Sequence, residues 1–122
     1  LNLWAKEADK VEKFHLVRYE DLRAEPRQEL RKMLDFMQVD ASEDDVNAAV
    51  EYSDYENMKK MESKQQFRLA GGRRMPRAKD NPNSYKVRRA KVGGYRDYFT
   101  DEEVEAIDRL LGQTLAPMFN YK

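Results

Sequence analysis

One strand-like run limits what this chain can fold into. Phe14-His15-Leu16-Val17-Arg18-Tyr19 gathers aromatic and aliphatic residues and ends against the charged pair Glu20-Asp21. That is the pattern of a short buried strand, about 14–19, followed by a turn. No second run of the kind occurs, and the periodicities around it are helical. A lone strand cannot satisfy its own backbone N–H and C=O groups; both edges need neighbours. The sequence therefore predicts an α/β arrangement whose remaining strands lie outside these 122 residues.

The helical signals are stronger. Trp4 to Lys13 reads as the end of an amphipathic helix. Pro26 suits a first helical turn, where a missing N–H costs nothing. Leu30, Met33, Leu34 and Met37 follow at i, i+3, i+4 and i+7, one face of a helix over about 26–38. Ser42 can cap a helix over about 42–51 that carries Val46, Ala49 and Val50. Ser53 with Glu56 forms a capping-box pattern for a short helix over about 54–61, through Met58 and Met61. Thr100 with Glu103 repeats the pattern before Val104, Ile107, Leu110 and Leu111, a helix over about 101–112 that Gly112 weakens and Pro117 closes. Between them, Glu62 to Lys86 lacks sustained periodicity. Gly71-Gly72, Pro76 and Pro82 mark it as a long loop.

Composition narrows the class. Hydrophobic residues make up 40% and charged residues 38%, and the mean hydropathy of -0.99 is low for a self-contained globule of this size. A piece of a larger fold would show the same shortage. The absence of cysteine excludes disulfides and thiolate metal sites and agrees with a reducing compartment. No apolar run approaches the roughly 20 residues that cross a bilayer. Leu1-Asn2-Leu3-Trp4 has neither an initiating Met nor a charged leader, so residues before Leu1 are expected to be missing. Glu43-Asp44-Asp45 reads as a helix N-terminus favoured by the dipole. No set of ligands has metal spacing.

The net charge of zero hides a segregation. Lys59–Arg96 holds thirteen Lys/Arg and two Asp/Glu, a balance of +11; the remainder holds ten and twenty-one, a balance of −11. Either the basic stretch meets an anionic partner, or it is a solvated loop beside acidic helices. Within it, Val87-Arg88-Arg89-Ala90-Lys91-Val92-Gly93-Gly94-Tyr95-Arg96 is the most informative segment. Adjacent arginines offer planar forks of donors that match phosphate oxygens. The small Ala90 and the Gly93-Gly94 pair let backbone N–H groups approach an anion. From the residues alone, a phosphate site and a basic turn leading into the aromatic anchor Tyr95/Tyr98/Phe99 both fit.

A resemblance connects these pieces. Arg88-Arg89-Ala90-Lys91-Val92-Gly93-Gly94-Tyr95-Arg96, followed by Phe99-Thr100, resembles the Arg-Lys-Gly-x-x-Gly-Asp-Trp-Lys region of the cytosolic sulfotransferases and their bacterial relatives. Arg18-Tyr19-Glu20-Asp21-Leu22 with Pro26 is similar to the family's Tyr-Glu-Asp-Leu strand end. Ser53-Asp54-Tyr55-Glu56-Asn57-Met58-Lys59-Lys60 is similar to its Thr-Ser-Phe-x-x-Met-Lys segment. The three occur in family order and cover nearly the whole chain. The resemblance implies the C-terminal, mostly helical portion of one P-loop-like, three-layer parallel-sheet domain, with residues 1–122 lacking its N-terminal half. It implies in-line transfer of a sulfuryl group from 3′-phosphoadenylyl sulfate to a hydroxyl or amine of a small acceptor, in the cytoplasm, without a metal. Arg88, Arg89 and the N–H of Ala90 would grip the 3′-phosphate. Tyr55 would stack on the adenine, Ser53 and Met58 would line the base pocket, and Tyr19 would hydrogen-bond near it. Read without the family, Tyr19 could equally be a core aromatic, Ser53 a helix cap, and the methionines core filler.

The departures have consequences of their own. Arg89 replaces a Lys, Ala90 a Gly that reaches φ > 0 easily, Gly94-Tyr95 an Asp-Trp, and Tyr55 a Phe. Arg96, Thr100 and Glu105 fit a family dimerisation pattern loosely, but Asp101 stands where it has Val, so that dimer is not expected. No phosphosulfate loop or catalytic base is present, and His15 reads as structural within its strand. The chain contributes no catalytic residue and by itself is expected to be inactive. A polyanion or nucleic-acid module built on Lys59–Arg96 with its interleaved aromatics is the alternative, and a helical interaction domain without a ligand is a third.

Overall fold

Side-chain caps decide where two of the long helices begin. The computed structural model describes residues 1–64, 87 and 90–121. Ser42 opens the helix Glu43–Ser53: its Oγ accepts from the Asp45 N–H at 3.1 Å, and the Asp45 carboxylate accepts from the Ser42 N–H at 3.1 Å. Thr100 and Glu103 make the same reciprocal pair at 3.3 and 2.8 Å before the helix Asp101–Thr114. Each pair satisfies two donors that a helix start otherwise leaves without partners.

In chain order the helices are α1 (Asn2–Glu7), α2 (Tyr19–Ala24), α3 (Pro26–Met37), α4 (Glu43–Ser53), α5 (Tyr55–Ser63) and α6 (Asp101–Thr114). Pro26 takes the first position of α3 as expected. The first helix is shorter than its pattern suggested, giving way to a 3₁₀ turn at Ala8–Lys10. Pro117 does not close α6, which stops at Thr114; it starts a separate 3₁₀ turn, Pro117–Phe119. The loop expected over Glu62–Lys86 is helical at Glu62–Ser63, and residues 65–86 lie outside the described residues.

Two expectations are corrected. No strand forms among the described residues: 14–18 carry no ladder, and Tyr19 starts α2 instead of ending a strand. Arg18 still has extended backbone, φ −91° and ψ 142°. The strand-end conformation is therefore present, but pairing needs a neighbour that these residues do not provide. Nor does Ser53 open α5. It is the last residue of α4, and its hydroxyl donates back to the carbonyls of Ala49 and Val50 at 2.8 and 3.2 Å. Asp54 is the cap, its carboxylate accepting from the Glu56 N–H at 2.9 Å. A Ser next to an Asp competes for the role, and the carboxylate is the stronger acceptor.

The chain divides into two compact units, Leu1–Glu25 with Val92–Lys122, and Pro26–Lys91. In the second, α3 packs on α4 and α4 on α5. Arg31 ties the first pair, donating to the Ala41 carbonyl at 2.6 Å and to the Glu43 carboxylate. In the first, Asn2 clamps the end of α6: its amide donates to the Thr114 carbonyl at 2.6 Å and accepts from the Ala116 N–H at 2.8 Å. The Arg18 guanidinium lies 4.9 Å from the Tyr121 ring centroid, and the Tyr121 hydroxyl donates to Glu20 at 3.2 Å.

The described core is thin. Val46, Val104 and Phe119 are its fully buried apolar side chains, while Trp4 is 63% exposed and Met37, last of the α3 stripe, 57%. Each buried side chain of this size is worth only about 1.5–3 kcal/mol, so helix propensity and caps carry a large share of local stability. Gly112 sits inside α6, and a Cβ there meets no atom within 4 Å. Gly112→Ala should therefore stabilise by about 0.5–1 kcal/mol, and Ser42→Ala should destabilise by about 1 kcal/mol. Both are read as shifts of the thermal midpoint by circular dichroism. An unchanged midpoint for Gly112→Ala would mean that α6 ends before Gly112 in solution.

Candidate functional site

The elbow between α4 and α5 carries the richest group of expected site residues. Asp54 turns the chain, donating its N–H to the Glu51 carbonyl at 3.3 Å while capping α5. Asn57 braces the elbow by donating to the Tyr52 carbonyl at 2.7 Å. Tyr55 is then the first residue of α5. Tyr55, Met58 and Glu62 fall at i, i+3 and i+7, which places them along one face. All three are partly or fully buried, whereas Glu56, Lys59, Lys60 and Ser63 are exposed. The Lys59 ammonium lies over the Tyr55 ring, 5.4 Å from its centroid, a cation–π arrangement.

This face leads to the basic segment. Glu62 is 1% exposed, and its Oε2 accepts from the Val87 N–H at 2.9 Å. The bond joins α5 to the residue immediately before Arg88 and Arg89. Those two arginines lie outside the described residues. Ala90 is described, half-buried, at φ +49°. An Ala in the left-handed region is under strain of roughly 1–2 kcal/mol, so the backbone here takes the conformation for which the family's Gly is suited. Gly93, at φ +68°, adopts the same region without strain.

The unit Pro26–Lys91 thus holds Ser53, Tyr55, Met58 and Ala90. Tyr19 belongs to the other unit, where the residue is 46% exposed at the start of α2. Ser53 is on the last turn of α4 with its hydroxyl engaged by its own helix. Glu62 was missed by sequence reasoning. The available signal was its register: an acidic residue seven positions after Tyr55, on the face that carries Met58.

Downstream, the segment is anchored to α6. The Tyr95 hydroxyl donates to Asp108 Oδ1 at 2.7 Å, and Arg96 Nη2 donates to Asp108 Oδ2 at 2.7 Å. Both carboxylate oxygens are therefore used. The hydrogen bond from Tyr95, then that from Arg96, holds the Asp108 carboxyl below the usual carboxylate range. The same bond to Asp108 raises the Tyr95 phenol. Neither titration lies near neutrality, so the assembly is structural.

A family model described as the sulfotransferase domain matches residues 1–119. The chain belongs to the sulfotransferase family. Flavonol 3-sulfotransferase of Flaveria bidentis is 28% identical over 120 residues, covering 94% of this chain and 37% of that protein. Flavonol 4′-sulfotransferase of Flaveria chlorifolia is 23% identical over 121 residues, covering 95% and 36%. A flavonol sulfotransferase-like protein of Flaveria bidentis is 26% identical over 113 residues, covering 88% and 34%. The chain thus spans little more than a third of the length of these relatives. No solved structure matches it. Among the described residues no helix is long and apolar enough to cross a membrane, and no group of three or more His, Cys, Asp or Glu could hold a metal.

For this sulfotransferase chain the Asp108 assembly fixes a pH window. A depressed carboxyl contributes stability above its unfolded pKa of about 3.9 and loses it as pH falls through the folded value. A raised phenol contributes below about 10 and loses it as pH rises through the folded value. Asp108→Asn should flatten the alkaline loss and part of the acid loss. Asp45, also held low by Ser42, supplies acid-side dependence that remains. Chemical denaturation midpoints from pH 3 to about 11 check this. Wild type and Asp108→Asn losing equal stability at both ends would rule the assembly out as their cause.

Proposed function

We propose that this chain is the nucleotide-holding part of a cytoplasmic sulfotransferase that takes 3′-phosphoadenylyl sulfate as donor. The observation that carries the reading is the match of the sulfotransferase domain over residues 1–119. The continuous line from Tyr55 through Met58 and Glu62 to the amide before Arg88-Arg89 supports it. The donor, when bound, supplies an activated sulfuryl group. An acceptor hydroxyl or amine forms the new bond to sulfur, the bond to the phosphate oxygen breaks, and adenosine 3′,5′-bisphosphate leaves. The acceptor's proton goes to a base outside this chain.

Tyr55 stacks its ring on the adenine, and the Lys59 ammonium adds a cation beside the same ring. Met58 supplies a polarizable wall one turn on. Arg88 and Arg89 contribute two guanidinium forks to the 3′-phosphate dianion, and the Ala90 N–H a further donor. The Ser53 hydroxyl completes the base end by exchanging one of its bonds within α4. The fit is chemical: a π face for the base, and cations for the phosphate. The acceptor is a small molecule with a nucleophilic hydroxyl or amine, the class to which the flavonols in the relatives' names belong.

The segregated charge of Lys59–Arg96 leaves polyanion binding as the reading to beat. Titrations of the full-length protein with adenosine 3′,5′-bisphosphate and adenosine 5′-phosphate separate the two. A charge-assisted hydrogen bond is worth roughly 1.5–3 kcal/mol, so Arg88→Ala should weaken the bisphosphate by roughly 10- to 150-fold. The monophosphate should change little, because the arginine has no 3′-phosphate to lose. Tyr55→Ala should weaken both nucleotides alike, since each presents the same base. Equal weakening of both by Arg88→Ala would mean that Arg88 acts through the fold or the general field. No preference for the bisphosphate in wild type, with steep loss of nucleic-acid binding in salt, would favour the polyanion module.

A further inference from the structure

A glutamate on a nine-residue helix with 1% of its surface exposed is unusual. Glutamate is almost never fully buried unless paired, and burial of its charge is tolerated only where donors replace water. Here one replacement is the Val87 N–H, 25 positions away in sequence, donating to Oε2 at 2.9 Å. The length is that of a normal N–H···O bond, and an ionised carboxylate acceptor makes such a bond roughly twice as strong as a neutral one. Its partner is a backbone amide, so the bond fixes main-chain position and is indifferent to the side chain at 87.

Both ends of the bond matter to the nucleotide reading. On α5, Glu62 lies two turns along the same face from Tyr55, a rise of about 10 Å. In the other direction, Val87 immediately precedes Arg88-Arg89, and the residue after them, Ala90, is held at φ +49°. The two arginines are thus bracketed in the chain by a tethered amide and a strained alanine. We propose that Glu62 is a positioning residue for the 3′-phosphate site: it touches no part of the nucleotide, but it ties the Val87 amide, next in the chain to Arg88-Arg89, to the helix that carries Tyr55. The inference rests on the nucleotide reading above.

The test compares Glu62→Ala and Glu62→Gln with wild type in the full-length protein. Each is titrated with adenosine 3′,5′-bisphosphate and adenosine 5′-phosphate, and exchange of the Val87 amide is followed by NMR. Glu62→Ala should lower the preference for the bisphosphate by about 10-fold and speed Val87 exchange. Glu62→Gln keeps a carbonyl acceptor at the same reach and should recover most of the preference and the protection. A general loss of stability would lower both affinities together and leave the preference unchanged. An unchanged preference in a folded Glu62→Ala overturns the proposal, and a higher one shows that Glu62 acts only by repulsion. If Glu62→Ala does not fold, Glu62→Gln decides. A modest fall in preference together with faster Val87 exchange supports the proposal. Faster exchange with wild-type preference overturns it. Wild type that binds both nucleotides equally defeats the underlying nucleotide reading, an outcome visible before any variant is made.

Discussion

A buried carboxylate meeting a backbone amide organises the described part of this molecule's basic segment. Glu62 could have been a solvated residue at the end of a short helix. Instead it faces inward with Tyr55 and Met58, and the Val87 N–H is one of the groups that meet its carboxylate. Such a group has high stakes in either state, because leaving it buried without donors costs more than the bond contributes. That asymmetry makes the contact specific.

Backbone geometry continues the theme on the far side of the arginines. Ala90 accepts a left-handed conformation at a cost that Gly93 avoids. Strain of this kind persists only where the surroundings over-determine the backbone, and it concentrates at functional sites. Further on, Asp108 spends both carboxylate oxygens on Tyr95 and Arg96. The residues Tyr95 and Arg96, which stand at the aromatic and basic positions of the family motif, thereby serve the packing of α6.

Inside each unit, the described ties are polar and end-capping more than apolar. Reciprocal caps at Ser42 and Thr100, the Asn2 clamp on α6 and the Arg31 tie between α3 and α4 recur where a larger core would otherwise act. The exposed Leu1, Leu3, Trp4 and Met37 show how much apolar surface the described residues leave uncovered. The strand-like run belongs with this observation. Its composition is that of a buried strand, but a ladder is a property of two segments, and residues 14–18 have no partner among those described.

The sequence by itself determined the helices, because their signals are local. Apolar spacing at i, i+3 and i+4, a proline at a first turn and a hydroxyl three residues before an acid act within a single turn of chain. They located α3, α4 and α6 to within a few residues and α5 to its opening turn. The motif order also made the family legible, since Tyr55, Met58 and the Arg88-Arg89-Ala90 run can be read without knowing their neighbours. What tertiary structure alone decided is everything that joins distant residues. That Ala90 adopts positive φ is a demand of the path, not of the residue. That Glu62 lies inward, bonded to an amide 25 residues later, has no local signature, because a buried charge is stabilised only by donors that the folded chain brings to it.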